Sequence, residues 1–297
     1  MSATIRLQGV SKAFGKLYAV REVDLQLRPG ECVGLVGHNG AGKSTLIKLM
    51  LGLLSPTAGS VQVLGENPAS GTAARARREL GYLPENVSLY PAMTGAQTLA
   101  FYARLKGRPV HDNAALLDLV GLTDAANKRV GGYSKGMRQR LGLAQALLGQ
   151  PRALLLDEPT SGLDPALRQG FYEIVRARRD EGTMVLLSSH ALAEMEGEVD
   201  RVVVMNRGRK MADGSIQNLR RLAGIRPRLR VRLPELVSAN EAYEWTSRPG
   251  GLLETECDEA DILKLLRSLP SEATEVEVLR PSLDEIYASF LRQEAVP

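Results

Sequence analysis

Paired cysteines and long apolar runs are both missing from this sequence. The two cysteines, Cys32 and Cys257, stand in no C-x-x-C pair, which excludes a thiol redox motif or a zinc module built on such pairs and suits a reducing compartment. The best apolar candidate, LIKLMLGLL, is interrupted by Lys48 and falls short of the roughly 18 residues that cross a membrane. If membranes are involved, we expect another chain to cross them.

A signal peptide and a strong excess of one charge are missing too. The N-terminal stretch MSATIRLQGVSKAF carries Arg6 and Lys12 where a signal peptide needs an apolar core, so we expect the protein to stay in the cytoplasm. The 38 basic and 34 acidic residues leave a formal charge of +4. This balance is too even to indicate nucleic-acid binding by itself. With 44% hydrophobic residues in 297, the chain can form one large or two ordinary globular domains.

The stretch GHNGAGKST, residues 37–45, lies between the apolar strand candidate CVGLVG and the helix candidate TLIKLMLGL. Glycines at 37, 40 and 42 permit a turn whose N–H groups point at phosphate oxygens, with a helix N-terminus behind them. Lys43 adds a positive charge for the β- and γ-phosphates, and Ser44 a hydroxyl for magnesium. The spacing fits the Walker A pattern, whereas a glycine-rich turn that binds nothing is the alternative. The predicted ATP-binding residues of this stretch are Gly37, His38, Asn39, Gly40, Ala41, Gly42, Lys43, Ser44 and Thr45.

The order of apolar segments predicts an α/β fold. Residues 4–10 and 18–28 alternate apolar and polar positions, as in half-exposed antiparallel strands. Apolar strands then alternate with helices, which indicates a parallel core sheet covered on both faces. A mostly helical stretch interrupts this core. We therefore predict a cassette domain at 1–215 with a helical subdomain at about 86–150, and a small α+β domain at 216–297.

Two strand ends carry further polar residues. Asp157 and Glu158 end the run ALLL, and His190 ends VLLSSH, so all three are expected at the sheet edge where ligands bind. Adjacent strand residues point to opposite sides. Asp157 is therefore predicted to reach magnesium, Glu158 to act as general base on a water, and His190 to contact the γ-phosphate. The alternatives are a solvated acidic pair and a structural histidine.

The stretch Tyr133-Ser134-Lys135-Gly136-Met137 begins a strongly periodic helix. Ser134 is either an N-cap or part of a second anion site made with Lys135 and the backbone of Gly136. The residues alone do not say whose phosphate such a site would bind.

Together, residues 37–45, YSKGM, LLLDE, SGLD and His190 occur in the order and spacing of the ATP-binding cassette (ABC) family, which this chain resembles over residues 4–215. The resemblance implies an ATPase whose two copies pair head to tail. Ser134, Lys135, Gly136 and Asp164 would then meet ATP held by the partner. It also implies that Phe14 stacks on adenine and that His190 is the switch histidine. An ordinary core aromatic is the alternative for Phe14.

Two departures from the family pattern concern charge. Glu85 stands where the family usually has glutamine; its carboxylate could bind magnesium, but it would repel an uncoordinated γ-phosphate. Lys135 and Met137 replace glycine and glutamine in the stretch YSKGM (133–137) that matches the family's signature, so Lys135 is expected to add a positive charge at the partner's ATP. The predicted magnesium ligands are Ser44, Asp157 and Glu85, and the predicted catalytic residues are Glu158, His190 and Lys43.

Within the family, the GYLPE loop, YSKGM and the ending PSLDEIYASFL resemble single-cassette ATPases of export-type or extraction-type permeases. Longer segments resemble the NosF group, whose NosDFY complexes serve copper-site maturation of nitrous oxide reductase. This resemblance implies a NosY-like membrane permease and, through it, a periplasmic NosD-like subunit, with the chain peripheral on the cytoplasmic side of the inner membrane. The alternatives are another exporter, for drugs, lipids or polysaccharides, and a non-transport cassette acting on nucleic acid or the ribosome.

Two surface segments complete the expectations. Residues 86–98, with Leu89, Tyr90 and Met93, form either a permease socket or an ordinary surface loop. The segment 220–232 holds six arginines. They either meet anionic lipids or an acidic partner, or form a solvated strand and linker.

Overall fold

The computed structural model describes residues 4–190, 192–234 and 243–293. The chain divides into two compact units, with the division between Ser215 and Ile216. Both units mix helices with strands, so the α/β prediction is confirmed.

The first unit opens with an antiparallel sheet in the order β2-β1-β4. Its strands are β1 (Ile5–Phe14), β2 (Leu17–Leu27) and, after β3 (Cys32–Val36) and α1 (Lys43–Met50), β4 (Ala58–Val63). Ile5, Leu7 and Val10 of β1 are buried while polar residues between them are exposed. This alternation is what the sequence predicted, because one face of the sheet packs on the core and the other meets water.

The core sheet has the strand order β5-β6-β7-β3-β8-β9. The remaining elements of this unit are α2 (Ala74–Arg78), β5 (Leu80–Leu83), α3 (Gly95–Leu105), α4 (Asn113–Leu119), α5 (Lys135–Leu147), β6 (Ala153–Leu156), α6 (Pro165–Asp180), β7 (Met184–Ser189), β8 (Arg201–Asn206) and β9 (Arg209–Gly214). All neighbouring pairs from β5 to β8 are parallel. Strand β9 is antiparallel to β8 and extends the predicted parallel core sheet at this edge.

Strand β3 lies inside the core sheet between β7 and β8, and its five residues are buried. Cys32 is 1% exposed, and burial together with the charge of Asp200 raises the pKa of its thiol to about 12. The register pairs Val36 with Ser189 and Leu156 with Leu187. The carboxyl ends of β3, β6 and β7 therefore meet at one edge of the sheet, which positions the segments that follow them.

The helical insertion, predicted at about 86–150, contains helix α3, whose N-terminus is capped by side chains. Thr94 Oγ1 accepts a hydrogen bond from Gln97 N–H at 3.2 Å, and Gln97 Oε1 accepts one from Thr94 N–H at 2.9 Å. This reciprocal capping box starts α3. Helices α3, α4 and α5 all fall within the predicted subdomain at about 86–150.

The second unit is an antiparallel sheet with helices. Its elements are α7 (Ile216–Ala223), β10 (Arg228–Arg232), β11 (Thr246–Arg248), β12 (Leu252–Glu256), α8 (Ile262–Arg267), β13 (Thr274–Leu279) and α9 (Leu283–Gln293). The strands are ordered β11-β12-β10-β13. A small core of Leu229, Cys257, Ile262 and Leu265 holds them.

Across residues 4–190, 192–234 and 243–293, no helix has the length and apolar character needed to cross a membrane.

Candidate functional site

The phosphate loop follows β3 and leads into α1. A Cβ atom on Gly37 would lie 2.6 Å from Ala41 Cβ and 2.7 Å from Met205 O, which is too close for any side chain. Gly42 has φ 102° and serves as the N-cap of α1, a conformation that strongly favours glycine. These two glycines are therefore required by the close packing of the loop as well as by its turns.

Strand β8 and the turn after it hold this loop in place. One ring nitrogen of His38, Nε2, lies 2.8 Å from Asn206 Oδ1, and the other, Nδ1, lies 2.6 Å from Asn39 O. Gly208 N–H donates to Ala41 O at 3.0 Å. Sequence reasoning placed His38 at the nucleotide but missed Asn206 and Gly208, because their contact with the loop depends on the β3–β8 pairing.

Three predicted catalytic residues form one cluster. Lys43 Nζ lies 3.3 Å from Glu158 Oε1, and His190 Nδ1 lies 2.8 Å from Glu158 Oε2. Lys43 also donates to Gly37 O at 2.5 Å. The side chains of Lys43 and Glu158 are only 7% and 11% exposed, whereas that of His190 is 62% exposed. The cluster therefore joins the buried floor of the site to its surface.

Ser188 positions the carboxylate pair at the end of β6. Its hydroxyl donates to Asp157 Oδ1 at 2.7 Å and accepts from Glu158 N–H at 2.9 Å. Glu158 itself has φ 47°, a left-handed conformation that costs a residue with a side chain about 1 to 3 kcal/mol. Ser188 precedes the predicted site residue His190 in the run VLLSSH, but its role as a bridge between Asp157 and Glu158 was not predicted.

A cleft of about 520 Å³ opens over the phosphate loop. Glu85, Lys43 and Glu158 line it together with residues that the motifs do not include. These additional residues are Leu17, Tyr18, Ala19, Arg21 and Arg207. The guanidinium of Arg21 lies 5.0 Å from the centre of the Tyr18 ring, so an aromatic surface and a cation meet at the rim of the cleft.

Phe14 lies at the end of β1 and is 51% exposed. Lys12 Nζ lies 5.2 Å from the centre of its ring. The alternative of an ordinary core aromatic is therefore wrong. Phe14 does not itself line the cleft among the described residues, and its stacking on adenine stays a prediction.

The residues predicted to act on a partner's ATP lie elsewhere on the surface. Ser134 Oγ accepts from Met137 N–H at 3.2 Å and caps α5, and Asp164 Oδ1 accepts from Leu167 N–H at 2.9 Å and caps α6. Lys135 reaches over the loop before α6, since a Cβ atom on Gly162 would lie 2.7 Å from its Nζ. In the part of the chain that the structure describes, neither helix start lines the cleft.

The oxygen donors near the cleft suit a hard cation. Burial raises the pKa of the Tyr82 hydroxyl to about 12, and the charges of Asp157 and Glu85 add to this shift. No group of three or more histidine, cysteine or acidic residues within the described ranges could hold a metal alone. Magnesium commonly takes one or two carboxylates and completes its shell with phosphates and water. Ser44 and Glu85 line the cleft and Asp157 does not; all three carry the oxygen donors that magnesium prefers, and they stay predicted ligands.

A separate groove of about 590 Å³ borders the helical insertion. Leu53 and Leu105, 65% and 64% exposed, line it with Arg77, Arg78 and Lys106. The predicted socket at 86–98 contributes Asn86, Val87 and Ser88, whereas Leu89, Tyr90 and Met93 are not among the lining residues. The groove therefore includes only the start of that segment, and the permease socket stays a prediction.

Comparison with known proteins decides the family. Residues 20–161 match the family described as ABC transporter. The chain is 41% identical over 222 residues to the uncharacterized ABC transporter ATP-binding protein YxlF of Bacillus subtilis, which covers 73% of this chain and 72% of YxlF. The chain belongs to the ABC transporter family. It is an ATP-hydrolysing, ATP-binding subunit of that family.

Other members of the ABC transporter family extend the match. YdbJ of Bacillus subtilis, also described as an uncharacterized ABC transporter ATP-binding protein, is 32% identical over 297 residues, which covers 97% of this chain and 94% of YdbJ. The Nod factor export ATP-binding protein I of Burkholderia thailandensis is 39% identical over 221 residues, 73% of this chain and 72% of its own length.

Solved ABC cassettes share the fold. The ATP-binding subunit of an ABC transporter matches with a TM-score of 0.69 and 31% identity over 74% of this chain and 93% of its own. The dimeric structure of a bacterial ABC transporter cassette matches with a TM-score of 0.67 and 24% identity over 71% of this chain and 98% of its own. The predicted cassette fold is confirmed.

Proposed function

We propose that this chain is the motor subunit of an export-type or extraction-type ABC transporter and that it works as a homodimer. The observation that carries the proposal is the surface position of Ser134, Lys135 and Asp164, away from the chain's own cleft. An exposed helix N-terminus on one copy can complete an anion site on another. One solved cassette with this fold is dimeric, and the proposal extends that arrangement to this chain.

The phosphate loop forms the half of the site within one copy. Backbone N–H groups from Gly37 to Thr45 surround the phosphates, and Lys43 exchanges Gly37 O and Glu158 for the β- and γ-phosphates. Ser44, Asp157 and Glu85 are the residues that would hold Mg²⁺, which when bound neutralises charge on the phosphate oxygens. Phe14 at the strand end is open to stack on the base.

Glu158 is the proposed general base. Its carboxylate takes the proton of the attacking water. Its Oε1 lies 3.3 Å from Lys43 Nζ and becomes available to the water once Lys43 turns to the phosphates. His190 is mostly exposed and contacts Glu158, which supports its proposed contact with the γ-phosphate from the open side. The reaction then rests mainly on positioning and on stabilising the charge of the phosphates.

The half contributed by the second copy is the start of α5. The hydroxyl of Ser134 and the N–H of Gly136 donate to the γ-phosphate, Lys135 adds its charge, and Asp164 lies at the dimer interface. Because Ser134 and Asp164 are also helix caps, their side chains are already oriented at helix starts before the second copy arrives.

Dimerisation provides the test. Glu158→Gln should bind ATP without turning it over, so dimers should accumulate when ATP and magnesium are added, as measured by light scattering on a sizing column. Adding Ser134→Arg to that variant should return it to the monomer, because the second copy can no longer cover the phosphates. A Glu158→Gln chain that stays monomeric at saturating ATP would contradict the homodimer.

The permease is proposed to dock in the groove beside the helical insertion. Its lining combines exposed leucines with three cationic side chains, which suits an amphipathic helix carrying a carboxylate. Burial, with the charge of Arg108 adding to it, lowers the pKa of Lys106 to about 8. A carboxylate on the partner would hold that ammonium in its charged form.

Leu105→Asp in the groove should abolish copurification with the permease while the ATPase rate of the isolated chain stays unchanged. Val110→Asp is the matched control, because Val110 is exposed but lies outside the groove lining. Equal copurification of both variants would place the permease elsewhere.

For the cargo, we propose copper-site maturation of nitrous oxide reductase, with a NosY-like permease, a periplasmic NosD-like subunit and this chain on the cytoplasmic side of the inner membrane. The segments ELGYLPENVSLYPAMTG and RVGGYSKGMRQRLGLAQALL support it. A second candidate, export of a lipid-linked or polysaccharide cargo, is favoured by the likeness to a Nod factor export protein. No nucleic-acid partner is proposed.

Deletion of the gene separates the two cargo candidates. If the copper proposal holds, nitrous oxide reductase should accumulate without its full copper content, and neighbouring genes should encode a permease and a periplasmic β-helix protein. Fully metallated nitrous oxide reductase in the deletion strain would remove the copper proposal and favour the second candidate.

A further inference from the structure

The six arginines of segment 220–232 separate into two groups in the structure. The three on β10 alternate along the strand and bind carboxylates of the same unit. Arg228 pairs with Glu285 at 2.8 Å, Arg230 with Glu254 at 3.0 Å, and Arg232 with Glu275 at 2.9 Å. These three arginines therefore stabilise the small sheet, which agrees with the interpretation of a strand.

The other three arginines of the segment line a cavity of about 540 Å³ inside the second unit. Arg220 and Arg221 come from α7, Arg226 from the loop after it, and a fourth arginine, Arg280, directly follows β13. Guanidinium groups from three separate parts of the chain thus converge on one space. Such convergence of like charges is unfavourable unless anions lie nearby.

The cavity's own carboxylates compensate only part of this charge. Asp258 lies 3.1 Å from Arg226, and Glu259 lies 3.0 Å from Arg280. Among the lining residues, Arg226 and Arg280 therefore have one carboxylate each, and Arg221 has none. Both ion pairs join side chains that are 59% to 61% exposed, and pairs at such exposure are weak enough for an incoming anion to rearrange.

The guanidinium of Arg221 can also bind an incoming anion. This guanidinium donates to Asn218 Oδ1, a neutral amide on the same helix. An amide oxygen is a weaker acceptor for a guanidinium than a charged oxygen is. A phosphate entering the cavity would therefore improve the interactions of Arg221.

From this geometry we infer that the cavity of the C-terminal unit is a binding site for a phosphate-bearing ligand. The planar guanidinium matches two phosphate oxygens at once, and several guanidinium groups line this one space. Ile225, Pro227 and Pro281 supply an apolar wall for the organic part of such a ligand. The phosphate can belong to a dissolved compound or to a lipid headgroup, since both present the same oxygens.

The test uses the full chain carrying Lys43→Ala, which weakens phosphate binding at the Walker A loop. Inorganic pyrophosphate is titrated by calorimetry into this chain and into the same chain with Arg221→Gln and Arg280→Gln. Saturable binding should weaken at least about tenfold in the second chain, because each lost charge-assisted hydrogen bond is worth that order of affinity. The matched control carries Arg267→Gln and Arg292→Gln, exposed arginines of the same unit outside the cavity lining.

Equal weakening by both pairs of substitutions would overturn the inference, because it would show a response to overall charge. Absence of saturable binding in the Lys43→Ala chain would also overturn it.

A cosedimentation experiment distinguishes a lipid headgroup from a dissolved ligand as the source of the phosphate. It compares binding to vesicles of phosphatidylglycerol and phosphatidylcholine with binding to vesicles of phosphatidylcholine alone. Binding to the anionic vesicles that is lost with the cavity arginines, and displaced by pyrophosphate, supports a lipid headgroup. Pyrophosphate binding without vesicle binding supports a dissolved ligand. ATPase measurements on the same variants with Lys43 restored report on the proposed function separately.

Discussion

Two buried glutamates, one in each unit, have opposite surroundings. Glu158 is 9% exposed and meets Lys43 and His190, and it lines an open cleft. Glu254 is 4% exposed and is surrounded by three arginines, with its carboxylate oxygens 2.8 Å from Arg248 and 3.0 Å from Arg230. A buried carboxylate needs partners in both cases. The difference lies in whether those partners can leave.

The backbone conformations of the two glutamates differ as well. Glu158 follows β6 in a left-handed conformation, which stores strain at the proposed reacting group. Glu254 lies inside β12, where its neighbours pair in regular antiparallel register with β10. The comparison teaches that a buried charge with few and exchangeable partners marks chemistry, whereas a fully surrounded one marks the stability of a small sheet.

The largest expected effect is the loss of ATPase activity in the variant Glu158→Gln. Loss of the base should lower the rate of phosphate release by about 10²- to 10⁴-fold, while ATP affinity and thermal stability stay close to wild type. Glu254→Gln is the matched control and should leave the rate nearly unchanged. Wild-type turnover by Glu158→Gln would remove the base from the mechanism.

The second-largest expected effect is on the stability of the second unit, in the variant Glu254→Gln. Glu254→Gln leaves three arginines without their shared carboxylate, so the second unit should lose about 2 to 4 kcal/mol of unfolding free energy, at the lower end because the arginines are partly exposed. Trp245, the single tryptophan, packs against the core of that unit and reports its unfolding in denaturant. An unchanged midpoint would mean that the arginine cluster contributes nothing to stability.

A pH dependence sharpens the role of Glu254. Burial raises the pKa of its carboxyl, but the hydrogen bonds from Arg248 and Arg230 outweigh burial, and the pKa is held below the ordinary value of 4.5. A lowered pKa in the folded state contributes stability that is present above 4.5 and is lost as pH falls through the lowered value. Acid unfolding followed at Trp245 should therefore depend less on pH below 4.5 in Glu254→Gln than in wild type. Identical acid profiles would contradict the assignment.

The smallest expected effect concerns the bridge between the two strand-end carboxylates. Ser188→Ala removes the hydroxyl that Asp157 and the Glu158 backbone share, so kcat should fall about tenfold, the worth of roughly one buried hydrogen bond. KM should change little. In a Glu158→Gln background the same substitution should cost much less, because the group that it positions is already inactive. Full additivity would show that Ser188 acts independently of Glu158.

Local patterns predicted the parts of the site that lie close together in the chain. The glycines, Lys43 and Ser44 follow one strand, and Asp157 and Glu158 follow another, so strand ends and turn residues were sufficient to predict their meeting. Ser188 and Asn206 were missed as positioning residues. Their roles depend on which strands are neighbours in the sheet, and periodicity does not encode that order.

The second unit was harder to predict from its sequence. Segment 220–232 favoured a strand where β10 lies, but β12 was not predicted, because its two buried residues, Glu254 and Thr255, are polar. The pairing of the arginines was also inaccessible. Arg230 and Glu254 are 24 residues apart, and Arg228 and Glu285 are 57 apart, so only the folded sheet shows which charges are compensated.

The composite site is tested most directly by mixing two inactive variants. Lys43→Ala disables phosphate binding by the Walker A loop, and Ser134→Arg disables the half of the site at the start of α5. Neither homodimer therefore holds a complete site. If each site takes its halves from different copies, a mixed dimer has one intact site, and ATPase activity should return on mixing to at most about a quarter of wild type for random pairing in a symmetric dimer. A mixture as inactive as its two components would contradict a site shared between copies.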